Sequence, residues 1–243
     1  MLWVKHKFLF IILFFSLVLK LIVWGSVLSF NPSSLLWDDA ARYQSSALAL
    51  LRLGEFLINP EPSSPPQYAI PPGYPLLLAI TYAIAGEHED LGIIVNIALS
   101  LIIIVLIYWS GITLFSKNAA ILAALFLALD FSSFSYSLRL LSETLFTLLL
   151  TLVLCTLIQF SRTNDKKWIF ITSILLACAA FVRPIGLYLI IPIGFILLGA
   201  SLVKHWNISK LIMSFLLLFL PFMLMVVKQE QLLNNQEKQL QSC

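Results

Sequence analysis

Long apolar runs separated by short polar segments extend along most of the chain and determine its predicted architecture. Several runs approach or exceed the roughly 20 residues that cross a bilayer as a helix. Because backbone groups in lipid must find hydrogen-bond partners within the protein, such runs predict helices. Segments of about ten residues that alternate between polar and apolar, typical of membrane barrels, are absent. The pattern therefore predicts an all-α polytopic membrane protein.

Seven spans are predicted, at 8–28, 91–115, 118–129, 145–160, 168–182, 185–203 and 211–227. The boundary between the fifth and sixth spans comes from Arg183 and Pro184, which interrupt an apolar stretch from 168 to 203. As one helix that stretch would measure about 54 Å, which is too long for a single crossing. Proline breaks the helical hydrogen bonds, and an arginine at mid-bilayer costs at least about 2.5 kcal/mol. A turn at these two residues satisfies both constraints.

The first span follows Lys5 and Lys7 and has no small-residue cleavage pattern after its apolar core. It is therefore interpreted as an uncleaved anchor in preference to a signal peptide. Lys20 interrupts this span. A lysine inside a span is costly, so its side chain either snorkels outward or faces a wet cavity. Snorkelling is the expected arrangement, and the cavity is the alternative.

Charged residues make up only 11% of the chain, against about 25% in a soluble domain. Hydrophobic residues make up 60%, and the mean hydropathy is +0.96. The net charge of +3 comes from dispersed basic residues that form no stripe, so no nucleic-acid partner is expected. The three histidines lie in different segments, so no histidine metal site is expected either.

The distribution of charges predicts the orientation in the membrane. If the N-terminus is inside, the only acid of the inner segments is Asp165. Their basic residues are Lys5, Lys7, Lys117, Arg162, Lys166, Lys167, Lys204 and Lys210. The acids Asp38, Asp39, Glu55, Glu61, Glu87, Glu89, Asp90, Asp130 and Glu143 fall outside. This positive-inside pattern places the segments 31–90, 130–144 and 183–186 together on the non-cytoplasmic face of a plasma (inner) membrane.

The outer segment 31–90 is predicted to contain two short helices. Asp38 or Asp39 can cap a helix over 40–53, which Gly54 ends. Apolar residues at 40, 43, 47, 50 and 51 give this helix one apolar side, as in a helix that lies in the interface. Residues 59–72, rich in proline and serine, predict an extended loop. The apolar segment that follows, to about residue 85, predicts a second interfacial or re-entrant helix.

Four motifs occur in one order along the chain. They are an outer Asp with a Tyr four residues on, Pro-Pro-Gly-Tyr-Pro at 71–75, Arg and Ser-Glu within 139–146, and Arg-Pro-x-Gly at 183–186. In this order the chain resembles the N-terminal half of the GT-C membrane glycosyltransferases. It is most similar to the branch of protein O-mannosyltransferases and the aminoarabinose transferase of lipid A. The resemblance extends from about residue 7 to 228.

The resemblance implies an enzyme that takes a sugar from a polyprenyl-phosphate donor on the outer face. In such enzymes an acidic side chain acts as general base on the acceptor hydroxyl, and Asp39 takes that position because it lies four residues before Tyr43. A helix cap is the alternative role for Asp39. Asp38 is the more expected cap, or a second acid near the substrate. Arg42 pairs with Asp39 or binds phosphate.

Three further residues are candidates on the same face. Arg139 and Glu143 are spaced four apart, as in an intrahelical ion pair, and the resemblance implies that Arg139 holds the departing phosphate. Glu143 would then orient Arg139, bind a divalent cation or assist Asp39. Arg183 either snorkels or fixes a turn near the lipid phosphate. Tyr43 and Lys20 complete the candidate substrate-binding residues.

The chain divides by composition into a transmembrane domain at 1–228, with the outer loop 31–90, and a polar tail at 229–243. The resembled enzymes continue beyond the seventh span. Three interpretations of the shorter chain therefore remain open: a truncated product, a frameshifted product or a reduced protein. A partner subunit that supplies the C-terminal half is also an open alternative. The expected ligands are membrane lipids, a polyprenyl-phosphate sugar and an acceptor glycolipid, glycan or protein. No cofactor is implied beyond the optional divalent cation. The alternatives are a non-catalytic lipid-phosphate binder or accessory protein and, less favoured, a small transporter.

Overall fold

A computed structural model describes residues 6–30 and 39–203 of the chain. The chain forms two compact units, Met1–Thr151 and Leu152–Cys243. Asp38, the predicted span at 211–227 and the polar tail lie outside the described residues. The prediction of a single transmembrane domain over 1–228 therefore stays a prediction.

Helices account for most of the first unit, which confirms the all-α prediction. In chain order they are α1 Lys7–Phe30, α2 Asp39–Leu53, α3 Gly73–Ala85, α4 Glu89–Leu114, α5 Lys117–Leu129, α6 Phe131–Ser137 and the first part of α7, Glu143–Thr163. Apart from α6, which was not predicted, these bounds agree with the predicted elements to within a few residues. The agreement follows from the apolar runs, whose ends coincide with glycine or polar residues.

Three helix ends in this unit have identifiable local causes. Gly54 follows α2 with a φ of 72°, a left-handed conformation that favours glycine, and its N–H donates to the carbonyl of Leu50. Gly86 follows α3 with a φ of 102°. Asp130 separates α5 from α6, because its carboxylate accepts the N–H of Ser133 at 2.7 Å and starts a new helix at a 58° bend.

The long helices pack closely because small residues lie between them. A Cβ at Gly111 of α4 would lie 2.7 Å from the Cα of Ala120 in α5, so only glycine permits this approach. The buried core between α1, α4 and α5 includes Ile12, Ile104 and Ala124. This packing positions the polar residues of α1 against those of α4.

The predicted interfacial helices α2 and α3 pack against each other through one buried cluster. Ala40, Tyr43 and Ala47 of α2 belong to it, together with Tyr74 and Leu78 of α3. The apolar side predicted for α2 is therefore its packing surface. Both helices are too short to cross a bilayer, as expected.

The loop between α2 and α3 differs from its prediction. Instead of an extended segment, the chain doubles back, and Leu57 and Pro66 form an isolated antiparallel bridge. The N–H of Ile58 donates to the carbonyl of Pro65 at 3.0 Å, and the N–H of Gln67 donates to that of Phe56 at 2.9 Å. Prolines lack the donor for a regular ladder, so the paired stretch stays short.

The second unit contains the remainder of α7, then α8 Lys167–Val182, a 3₁₀ helix Pro184–Leu189 and α9 Ile190–Val203. The turn predicted at Arg183 and Pro184 is confirmed, since Arg183 is extended between the two helices. Gly186 is buried there, and a Cβ on it would lie 2.8 Å from the backbone nitrogen of Ala180. The glycine therefore lets the chain fold back against the end of α8.

Within residues 6–30 and 39–203, three helices are long and apolar enough to cross a membrane: α1, α4 and α7. The bent pair α5 and α6 raises this number to four if it is one broken span. The predicted fifth span is a helix of 16 residues, and the sixth begins as a 3₁₀ helix. The count of seven spans stays a prediction.

Candidate active site

The exposed end of α2 carries the first candidate pair. Asp39 is the first residue of the helix, and its Oδ1 lies 3.5 Å from Nη1 of Arg42. More than half of each side chain is exposed, at 57% for Asp39 and 60% for Arg42. The expected pairing of these two residues is therefore present. It is an open contact, so both groups remain accessible to a ligand.

Tyr43, one turn after Asp39, faces the protein core. It is only 7% exposed, and its hydroxyl lies 3.1 Å from Oγ of Ser142, with either oxygen able to donate. Its ring also meets the ring of Tyr74 edge to face at a centroid distance of 5.0 Å. Tyr43 therefore connects α2 to α3 and to the segment immediately before Glu143.

Asn96 of α4 is a central polar residue that the sequence reasoning missed. It is fully buried, and its Nδ2 lies 2.8 Å from the hydroxyl of Tyr74 and 2.7 Å from the carbonyl oxygen of Arg139. The carbonyl of Leu141 lies 3.3 Å away. A lone amide in an otherwise uncharged span was the available signal, because a polar group in a span needs a partner.

Arg139 and Glu143 do not share a helix, which corrects the predicted intrahelical arrangement. Helix α6 ends at Ser137 and α7 begins at Glu143, so Arg139 lies in the bend between them. The carbonyls at 139 and 141 point to Asn96 and cannot continue a helical ladder. The side chain of Arg139 is exposed, whereas Glu143 is half-buried.

Lys20 is buried, so the expectation that it snorkels outward was wrong. The residue is only 2% exposed, and its ammonium donates to Oγ of Ser100 at 2.6 Å. The ring of Phe134 lies 5.8 Å from the same nitrogen. Lys20 and Glu143 both line one cavity in the first unit, which is the wet-cavity alternative.

Hydrogen bonds and burial shift the pKa values of several titratable groups near the candidate residues. Burial raises the pKa of the Tyr74 hydroxyl, and it raises the pKa of Tyr82 to about 12. Both hydroxyls therefore stay neutral at physiological pH. At the far end of α2, Arg52 donates to the Glu87 carboxylate through two of its guanidinium nitrogens, Nε and Nη2. The hydrogen bond from Arg52 lowers the pKa of the Glu87 carboxyl.

Arg183 belongs to the second unit and is half-buried at the turn after α8. Its N–H donates to the carbonyl of Ala179 at 2.9 Å, which fixes the backbone of the turn. Asp38 lies outside the described residues.

In the first unit, the contact between Tyr43 and Ser142 joins the helix of Asp39, Arg42 and Tyr43 to the turn that precedes Glu143.

The candidate residues offer two kinds of chemistry. Exposed carboxylates such as Asp39 accept protons from hydroxyls, and exposed arginines bind phosphate through a planar set of donors. No group of three or more His, Cys, Asp or Glu side chains that could hold a metal ion occurs in the described part of the chain.

Several helices are apolar and long enough to cross a bilayer, and acidic and basic side chains lie on the short segments between them. These features define an integral membrane protein. The family model for dolichyl-phosphate-mannose-protein mannosyltransferase matches residues 69–227. Because this match covers more than half of the chain, the chain belongs to that family of membrane glycosyltransferases, which use lipid-linked sugars. No curated protein and no solved structure matches the chain.

The family match includes three of the candidate residues, Arg139, Glu143 and Arg183. It begins on the C-terminal side of Asp39 and Arg42. The roles of these two residues therefore depend on the motif order in the sequence and on their contacts.

Proposed function

We propose that this protein transfers a sugar from a polyprenyl-phosphate donor to an acceptor hydroxyl on the non-cytoplasmic face of the membrane. The family supports a lipid-linked donor. The distribution of charges supports the face, because the acids of the candidate segments fall on the side opposite the basic residues. The acceptor is a hydroxyl of a glycolipid, a glycan or a protein.

Asp39 is the proposed general base. It takes the proton of the acceptor hydroxyl while the hydroxyl oxygen attacks the anomeric carbon of the sugar. The bond between that carbon and the phosphate oxygen breaks, and the lipid phosphate leaves with the bonding electrons. The exposure of Asp39 supports this role, since a general base must come within about 2.6–3.2 Å of the proton it removes.

One observation carries the proposal: the hydrogen bond between Tyr43 and Ser142. It ties the helix that begins with Asp39 to the turn that carries Arg139 and leads into Glu143. A base and an exposed arginine are thereby held on neighbouring segments, as transfer from a phosphate-linked donor requires. Tyr43 acts in this scheme as a positioning residue.

The arginines are proposed to act on the phosphate. Arg139 is exposed and lies in a turn fixed by Asn96, so its guanidinium can bind the phosphate of the donor and stabilise it as it leaves. Arg42 is the alternative phosphate ligand on the side of Asp39. Glu143 remains a proposed member of the site, and the role of Arg183, which lies in the second unit, stays a prediction from the sequence.

The experiment that tests this proposal is transfer of radiolabelled mannose from dolichyl-phosphate mannose to a mixture of membrane acceptors. Asp39→Asn is expected to reduce the rate at least a hundredfold, because a positioned base contributes about 10²–10⁴ in rate. Asp90→Asn, an exposed acid at the start of α4, is the matched control and is expected to keep full activity. Wild-type rates in Asp39→Asn at equal abundance would refute the role of Asp39. Binding of the lipid without any turnover would support the accessory-protein alternative instead.

A further inference from the structure

A small polar cavity lies among the helices of the first unit. Its volume is about 30 Å³, and its lining includes Lys20 of α1, Ser100 of α4, and Glu143 and Thr144 of α7. A buried water needs at least about 10–15 Å³ of such space, so the cavity has room for one or two waters. Larger ligands need far more space than this.

The charges around the cavity favour a neutral occupant. Among the described residues that line it, Lys20 is the one basic side chain and Glu143 the one acidic side chain. The ammonium repels a small cation, and the carboxylate repels a small anion. Water suits both groups, because it accepts hydrogen bonds from an ammonium and donates them to a carboxylate.

Lys20 has more hydrogen-bond donors than the described residues satisfy. Its ammonium has three N–H groups, of which one donates to Oγ of Ser100 at 2.6 Å. The ring of Phe134 lies 5.8 Å from the same nitrogen. An ammonium that is buried inside a membrane span needs further polar partners, and the cavity is the space in which they can bind.

Thr144 provides a second polar group that faces the cavity. It is only 5% exposed, and its Oγ1 has no hydrogen-bond partner within residues 6–30 and 39–203. A buried hydroxyl without a partner costs stability, whereas an ordered water can satisfy it. Because Lys20 and Thr144 line the same water-sized cavity, one or two waters can hydrogen-bond to both.

We propose that bound water in this cavity connects Lys20 of α1 to Thr144 of α7, and that Lys20 is thereby a positioning residue for the start of α7. Thr144 directly follows Ser142 and Glu143, and Ser142 contacts the hydroxyl of Tyr43. The water bridge therefore holds the segment of Glu143 against α1. The positioning role rests on the proposed function, whereas the bridge itself does not.

The first test is a double-mutant cycle of Thr144→Val and Lys20→Met, measured by thermal unfolding of the full chain in detergent. Thr144→Val removes the hydroxyl and keeps the shape of the side chain. It is expected to lower the melting temperature by about 2–4 °C, the value of about one hydrogen bond in a protein of this size. In the Lys20→Met background the bridge is already broken, so adding Thr144→Val should leave the melting temperature unchanged or raise it. Thr163→Val, at an exposed position at the end of α7, is the matched control and should melt like wild type.

Three results of these melting experiments would overturn the bridge. Thr144→Val that melts at or above the wild-type temperature would show that no water binds its hydroxyl. Equal shifts from Thr144→Val in both backgrounds would exclude a connection to Lys20. A wild-type melting temperature that rises when chloride replaces gluconate in the buffer would assign the cavity to an anion.

The second test separates kcat from KM for transfer from dolichyl-phosphate mannose, at a temperature where every variant is folded. Lys20→Met is expected to lower kcat about tenfold to a hundredfold, because small displacements of a reacting site have effects of this size. KM should stay near the wild-type value, since the turn of Arg139, the proposed phosphate ligand, is held separately by Asn96. Lys7→Met, at an exposed position of α1, is the control and should keep the wild-type kcat.

The outcomes of the second test distinguish the inference from the proposed function. A wild-type kcat in Lys20→Met would overturn the positioning role. A wild-type protein that transfers no sugar would refute the proposed function and the positioning role with it, whereas the melting cycle would still decide whether the bridge exists.

Discussion

Replacing Asn96 by alanine tests whether one buried amide holds the turn that carries Arg139. The Nδ2 of Asn96 lies within hydrogen-bond distance of three oxygens: the Tyr74 hydroxyl and the carbonyls of Arg139 and Leu141. An amide nitrogen has two protons, so two of these bonds are made at a time. In Asn96→Ala the Tyr74 hydroxyl and the carbonyl of Leu141 lose this donor, whereas the carbonyl of Arg139 keeps the N–H of Leu141 at 2.9 Å.

The magnitude follows from these contacts. Each buried polar group left without a partner costs about 1–3 kcal/mol, which gives roughly 2–6 kcal/mol for two. Part of this cost is offset, because Oδ1 of Asn96 is itself buried without a partner among the described residues. Removing it returns about 1–3 kcal/mol, so the net destabilisation is expected near 2 kcal/mol. For a protein of this size that corresponds to a fall in melting temperature of roughly 4–8 °C.

The assay is thermal unfolding of the purified protein in detergent, together with the transfer rate and the affinity for dolichyl-phosphate mannose. Asn118→Ala, an exposed asparagine near the start of α5, is the control and should melt like wild type. Asn96→Asp keeps the shape and removes the donors, so it should be less stable than Asn96→Ala because a carboxylate would face two carbonyl oxygens. An Asn96→Asp variant as stable as wild type would refute the assignment of the hydrogen bonds.

Two further predictions concern packing and pH. Gly111→Ala should lower the melting temperature, because the new Cβ would lie 2.7 Å from the backbone of Ala120. A Cβ at Gly25 would have no atom within 4 Å, so Gly25→Ala should leave the melting temperature unchanged or raise it. Equal melting temperatures for the two variants would contradict the packing account. Since the pKa of Glu87 is lowered in the folded state, its pair with Arg52 contributes stability above the unfolded pKa of about 4.3 and loses it as the pH falls through the folded pKa. Melting curves of wild type and Glu87→Gln should therefore differ at pH 7 and converge once the pH has fallen through the folded-state pKa of Glu87, which lies below its ordinary value. A difference that persists after Glu87 is protonated would refute this linkage.

Features controlled by local chemistry were predictable from the sequence. The bounds of the long helices followed from the lengths of apolar runs, and the turn at Arg183 followed from the proline beside it. Gly54 was predictable as the end of α2, because it adopts the positive φ that glycine tolerates.

Features that depend on distant contacts were not predictable from spacing. Lys20 is buried because Ser100, eighty residues away, accepts its hydrogen bond. Arg139 is spaced for an ion pair with Glu143 on one helix, yet Asn96 draws its carbonyl out of the helical ladder. In each case a tertiary hydrogen bond in a poorly hydrated interior outweighs the local preference.

The proposed site also combines features that were predictable from local sequence with features that depend on distant contacts. The motif order indicated Asp39, Tyr43 and Arg139, but it did not indicate that Tyr43 is buried against Ser142. It also gave no reason to select Asn96 among the residues of an otherwise apolar span. A tyrosine beside a proposed base can contact substrate or hold the base in place, and only its burial separates the two roles.

The most direct test of the central claim measures donor affinity and transfer rate separately in Asp39→Asn. The account predicts that this variant binds dolichyl-phosphate mannose like wild type while its transfer rate falls at least about a hundredfold, since a general base acts on the proton in the transition state and leaves donor binding intact. Transfer at the wild-type rate with unchanged donor affinity would contradict the claim that Asp39 is the base.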